Sequence, residues 1–165
     1  MSAPTPLPGA LEFRELLEGL VGRQVNVTVR GRGVDPARGL GATVAEYVDD
    51  QMQLAALVVA ELELAAAAGS AIGLVPAKEV EASVRYKELS ASQIENFSEI
   101  CNVLASLFNA DGAPHLRFTT MHVPGAALPG DVAQWVTAHV ARLDLDVEVV
   151  GYGSGALSIV VVPRT

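Results

Sequence analysis

Residues Ser90 to Asn109 read SASQIENFSEICNVLASLFN, and the order of apolar and polar side chains in this stretch decides the fold. At 3.6 residues per turn, Ile94, Phe97, Ile100, Cys101, Leu104, Leu107 and Phe108 spread over one side of a single helix. Glu95, Glu99, Asn102, Ser106 and Asn109 fall within about 80° of one another on the other side. The start is signalled twice, by Ser90 with Gln93 and by Ser92 with Glu95, each at the offset of a capping box. Asp111, Gly112 and Pro114 end the helix. An amphipathic helix needs a solvated side, but one optimised for helix stability alone would favour Lys, Arg, Gln or Ala over two Asn and a Ser. Glu99-x-x-Asn102 sets an anionic acceptor beside a carboxamide that has both donor and acceptor atoms. That pairing suits holding a water or gripping a partner's lysine.

Working outward, the chain alternates helices with β-rich runs. Leu11 to Val21 carries Phe13, Leu16, Leu17 and Leu20 at helical spacing and stops at Gly22. Val25, Val27 and Val29 alternate with polar residues in a half-buried strand, followed by the turn-rich loop Gly31 to Gly41. Thr43 to Val48 and Met52 to Val59 read as a hairpin, Glu61 to Leu74 as an alanine-rich helix, and Pro76 to Leu89 as a charged helical or irregular connection. Beyond the long helix, His115 to Val123 reads as a strand. An amphipathic helix follows over Asp131 to Leu143, with Val132, Trp135, Val136, His139 and Val140 inward. Leu145 to Val150 and Ala156 to Val162 form a closing hairpin around Gly151, Gly153 and Gly155. Glu46, Val48, Leu57, Val58 and Val59 match Glu148, Val150, Ile159, Val160 and Val161 at a constant offset of 102 residues. A pseudo-duplicated helix-strand-hairpin unit follows, its second copy carrying an inserted helix.

Composition bounds the function. With 165 residues, half of them apolar, the chain forms one domain over 11–165 after a flexible, proline-rich lead over 1–10. A net charge of −8 disfavours nucleic acid and anionic membranes. Arg23, Arg30, Arg32 and Arg38 run against that balance, as a local anion-facing patch or as solubilising loop charges. The single cysteine, Cys101, lies on the apolar arc, forms no internal disulfide, and points to the cytoplasm. The N-terminus has no secretory pattern, and Glu61 and Glu63 interrupt the apolar run from Leu54 to Val75, so no membrane insertion is expected. Gly151-Tyr-Gly153-Ser-Gly155 precedes a strand where a phosphate loop needs a helix, and reads as a turn. His115, His122 and His139 lack metal-ligand spacing, and Cys101 has no base near it, so no metal site or covalent nucleophile is predicted.

The order helix, strand, hairpin, helix, then a helix with Glu99-x-x-Asn102, strand and hairpin resembles the CheC, CheX and FliY family of chemotaxis phosphatases over Leu11 to Val162. The resemblance implies an α+β fold, a mainly antiparallel sheet of about six strands with long helices on one face. It implies a phosphorylated CheY-type response regulator as partner. Asn102 would orient the attacking water at the aspartyl phosphate, and Glu99 would engage a basic residue of the regulator. Glu95, Ser106 and Pro124 would border the docking surface, Pro124 as the motif's downstream proline, and Glu95 stands where the family usually has Asp or Ser. No cofactor is implied for this chain, since the magnesium belongs to the regulator. Glu12, Glu15 and Glu18 on the first helix come without an asparagine, so one site per chain is implied, as in the dimeric CheX type. The alternative is a non-catalytic module of the same fold that binds a response regulator or flagellar-switch component. A homodimer is expected, with the uncharged terminal strand Ala156 to Val162 as the exposed sheet edge.

Overall fold

The computed structural model describes residues 3–164. Among them the chain forms five α-helices and one six-stranded antiparallel sheet, the α+β architecture read from the sequence. The first half runs α1 (Ala10–Val21), β1 (Val25–Val29), β2 (Ala42–Val48), β3 (Leu54–Glu61) and α2 (Leu62–Ile72). The second runs α3 (Lys78–Tyr86), α4 (Ala91–Leu104), β4 (Arg117–His122), α5 (Gly130–Val136), β5 (Arg142–Val149) and β6 (Gly153–Val161). Residues 3–9 run alongside without regular structure; Ala3 N donates to Gly112 O at 2.7 Å, and Thr5 and Pro8 are buried.

The decisive helix is capped by the first of its two signals. Ser90 Oγ accepts from Gln93 N at 3.1 Å while Gln93 Oε1 accepts from Ser90 N at 2.8 Å. Such a cap contributes about 1 kcal/mol. Ser92 therefore lies inside the first turn and caps nothing. Phe97, Ile100, Cys101 and Leu104 are buried as the spacing requires. The helix does not run to Asn109 as a single α-helix: it tightens into a 3-10 turn over Ala105–Phe108, and Asn109 leaves with extended backbone at φ −91° and ψ 114°.

Strand order in the sheet is β1-β5-β6-β3-β2-β4. The central pair β3 and β6 is symmetric under the offset read from the sequence, because Leu57 opposes Val160 while Val58 opposes Ile159. That offset does not extend to the outer members of the hairpins. Glu46 opposes Leu57, and Ile159, the counterpart of Leu57, opposes Leu143. Glu46 therefore matches Leu143 and not Glu148, because the second hairpin is the longer: six residue pairs separate Leu143–Ile159 from its turn, whereas two separate Glu46–Leu57 from the turn of the first. The flanking strands are exchanged between the halves: β1 completes the second hairpin by pairing with β5, and β4 completes the first by pairing with β2. The sheet edges are consequently β1 and β4. The terminal strand expected to be exposed is central and paired on both sides, so its lack of charge reflects burial on both faces and not an open edge.

Alternation along the central strands feeds two cores. Ala45, Tyr47, Ala56, Val58, Ala60, Leu157 and Ile159 face the layer of α1 to α4. Helix α2 sits closest to the sheet, which explains its alanines: Ala65, Ala66, Ala67, Ala68 and Ala71 are all buried. Two glycines set the approach distances. A Cβ on Gly155 would lie 2.9 Å from Leu64 N, and one on Gly69 would lie 2.8 Å from the Gln93 carbonyl oxygen of α4. On the opposite face Val44, Leu57, Val59 and Val160 pack with Val34 from the loop before β2 and with Val132 and Val136 of α5. The helix expected over Asp131 to Leu143 ends at Val136, because Arg142 and Leu143 are drawn into β5 opposite Val160 and Ile159. Trp135 and Val140 still pack against this second core, whereas His139 is exposed. None of the helices among the described residues is long and apolar enough to cross a membrane.

Candidate functional site

Helix α4 presents Glu95, Glu99 and Asn102 on its exposed face, each solvent-accessible, as the polar stripe requires. Neither the Glu99 carboxylate nor the Asn102 carboxamide has a hydrogen-bond or ion-pair partner among the described residues, so both are open to a partner. Ser106 is exposed in the 3-10 turn with its hydroxyl committed, donating to Val103 O at 3.0 Å. Asn109 has left the helix, and its Oδ1 accepts from Leu116 N at 3.2 Å, holding the approach to β4. The stripe thus divides at its C-terminal end into a free part, Glu95 to Asn102, and a self-bonded part.

Asn102 sits where the helix changes its winding. Ala105 N donates to Asn102 O instead of to the Cys101 carbonyl, the partner of regular α-helical geometry. The released Cys101 carbonyl accepts the Tyr47 hydroxyl at 2.6 Å. Tyr47 stands on β2, fully buried, its ring against Phe108 and Phe118 at centroid distances of 5.2 and 5.9 Å. Burial holds the Tyr47 phenol well above its usual range and pushes the Cys101 thiol up to about 12, so both stay protonated at neutral pH. Sequence reading missed this contact of Tyr47 with the helix. Its hydroxyl is one atom on a strand of ordinary β-formers, and its partner is a backbone carbonyl that only the three-dimensional packing brings near.

Strand β4 lies beneath the same helix, with Met121 Sδ 3.8 Å from Ser98 Oγ. Since Tyr47 opposes Phe118, β4 runs from the Cys101 level toward the Ser98 level. Pro124 lies in the turn after the strand. It is half-buried and packs on Gly41, whose Cβ would meet the Pro124 Cβ at 3.3 Å.

Helix α1 is the counterpart of α4 in the first half. Phe13, Leu17 and Val21 are buried at the spacing of Phe97, Cys101 and Ala105, which places Glu15 and Glu18 where α4 has Glu99 and Asn102. Glu18 is occupied within its own fold: its Oε2 accepts from Val25 N at 2.9 Å and lies 3.8 Å from Arg14 Nη1. This position therefore offers neither a carboxamide nor a free side chain. His122 bonds to the Glu46 carboxylate on the sheet face away from α4, far from the stripe.

No protein-family model and no curated protein matches this sequence. Solved structures do match. The FliM middle domain from H. pylori superposes with a TM-score of 0.59 at 8% identity, covering 92% of this chain and 84% of that one, and a chain of the H. pylori FliG–FliM complex matches likewise. FliY from Thermotoga maritima gives 0.57 at 15% identity, covering 90% and 81%. CheX from Desulfovibrio desulfuricans gives 0.53 at 10% identity, covering 91% and 93%. At such identities the likeness is one of architecture, and over nine-tenths of its length this chain has the fold shared by FliM, FliY and the CheC and CheX proteins.

Proposed function

We propose that this protein is a CheX-like phosphatase that receives a phosphorylated CheY-type response regulator on the exposed face of α4. The observation that carries this reading is the free Asn102 carboxamide, presented to solvent from a helix whose winding at that residue is held by the buried Tyr47 hydroxyl. Hydrolysis of an aspartyl phosphate whose magnesium is already supplied by the regulator asks the second protein mainly to position water. A neutral carboxamide accepts one hydrogen bond from that water and donates others without bringing negative charge to the phosphate. Glu99, one turn earlier, engages a basic residue of the regulator, and Glu95 extends the acidic docking surface. The protein works in the cytoplasm, as a homodimer joined at a free sheet edge, β1 or β4, with the α4 face left open. The test is phosphate release from regulators charged with acetyl phosphate, with and without this protein. Acceleration by the wild type and none by Asn102→Ala supports the reading, whereas equal acceleration by both refutes the role of Asn102.

A second reading is favoured by the fold neighbour found in the FliG–FliM complex, a member of this architecture that works within an assembly. In that reading the α4 face binds a regulator or flagellar-switch component without hydrolysing anything. Regulator binding with no change in its dephosphorylation rate would select it.

A further inference from the structure

The four-arginine run of the first half is taken apart by the fold. The Arg23 guanidinium stacks over the Tyr152 ring at 5.2 Å, and Arg30 lies 3.8 Å from Asp146. Arg32 and Arg38 instead line a solvent-open cavity of about 440 Å³ on the sheet face opposite α4, where they meet Arg142 from the start of β5. Arg142 is locked in place. Its Nε donates to both Asp144 oxygens at 3.0 and 3.1 Å, its Nη1 to Ala138 O at 2.8 Å, and its Nη2 to Val136 O at 3.2 Å. Glycine at position 33 admits that guanidinium, since a Cβ there would lie 2.2 Å from Nη2.

Two exposed arginines line the cavity beside the fixed one. Arg38 is held only through Nε, 3.4 Å from Asp35 Oδ2, which leaves its terminal nitrogens available. The Arg32 guanidinium has no partner among the described residues. Three arginines against Asp35 and Asp144 give the cavity a net charge of +1 in a protein whose total is −8. Planar guanidinium forks converging from a loop and a strand match the oxygens of a phosphate group, which they grip through charge-assisted, often bidentate bonds. The volume lies in the range of small-molecule sites and exceeds what inorganic phosphate alone would fill.

We propose that this cavity binds a small phosphate-bearing molecule, held by Arg32 and Arg38 against the fixed Arg142, at a site separate from the α4 face. The experiment is a two-dimensional amide NMR titration at constant ionic strength with inorganic phosphate in one arm and AMP in the other. Arg32→Ala, Arg38→Ala and, as a control for loss of one surface charge elsewhere, Arg85→Ala are titrated in parallel. The expected result is saturable shifts confined to 31–38 and 137–144, with Kd weakened about ten-fold or more by either cavity substitution and unchanged by the control. Tighter binding of AMP assigns a phosphomonoester, and equal binding assigns free phosphate. Non-saturating shifts in both arms, shifts spread over arginines outside the cavity, or equal weakening by Arg85→Ala would overturn the proposal. Both cavity substitutions are on exposed side chains of a loop, and unchanged Tm in each separates lost binding from lost fold.

Discussion

Replacing Tyr47 by phenylalanine isolates the contribution of one buried oxygen to the winding of α4. The ring remains, so its packing against Phe108 and Phe118 is kept and only the donor to the Cys101 carbonyl is lost. That carbonyl cannot turn to its α-helical partner, because Ala105 N is committed to Asn102 O. A buried acceptor left without a donor costs about 1–3 kcal/mol. For a chain of this size each kcal/mol corresponds to roughly 2–4 °C, so the central expectation is a Tm lower by about 6 °C. Calorimetry reads the loss, and amide exchange at Ala105 and Ser106 should quicken beyond what the global change accounts for. A Tm within about 1 °C of wild type, with unchanged exchange over 102–106, would refute the claim that this hydroxyl holds the helix at the site.

Asn102→Ala should leave stability within about 0.5 kcal/mol of wild type, since the side chain is exposed and unpartnered. Glu99→Ala should weaken regulator binding most at low salt; salt-independent binding would argue against an ionic contact. Gly69→Ala forces a Cβ to 2.8 Å from the Gln93 carbonyl oxygen and should destabilise by about 1–3 kcal/mol in urea melts, with α2 and α4 pushed apart. Cys101 should resist thiol reagents until the protein unfolds. Its thiol, raised from 9.0 to about 12 by burial, ionises more readily in the unfolded chain, so stability should be intact below pH 9 and decline as pH rises from there toward 12. Sedimentation at micromolar concentration should give twice the chain mass, and a monomer mass alone would exclude the edge-joined homodimer.

The parts of the fold legible in the sequence were those written in local periodicity. Phe97, Ile100, Cys101 and Leu104 announce the buried arc of α4, and the Ser90–Gln93 cap marks its first turn, because both depend on residues within a few positions of each other. The same is true of Glu95, Glu99 and Asn102, whose shared face follows from helix geometry alone. Strand order was not legible. The run Ser158 to Val162 is uncharged whether a strand is a sticky edge or a central member buried on both faces, and only its pairing with both β5 and β3 distinguishes the two. The early end of α5 has a similar origin, since a helical pattern through Leu143 yields to the stronger demand of pairing Arg142 and Leu143 with β6. Tyr47 and Glu18 act on backbone groups far along the chain or in another element, and no spacing rule reaches them.

The exchange of β1 and β4 between the two hairpins makes the molecule indivisible. Although the halves are alike, neither owns a finished sheet: the first lacks the strand that shields β2, and the second lacks the one that shields β5. Cutting the chain in the 73–77 connection should therefore yield two fragments that are each insoluble or unfolded alone and that regain structure on mixing. Folding must wait for contacts between distant parts of the chain, which favours slow, cooperative assembly over stepwise growth from either end. The α4 face, resting on α2 from the other half, exists only once that mutual completion has occurred.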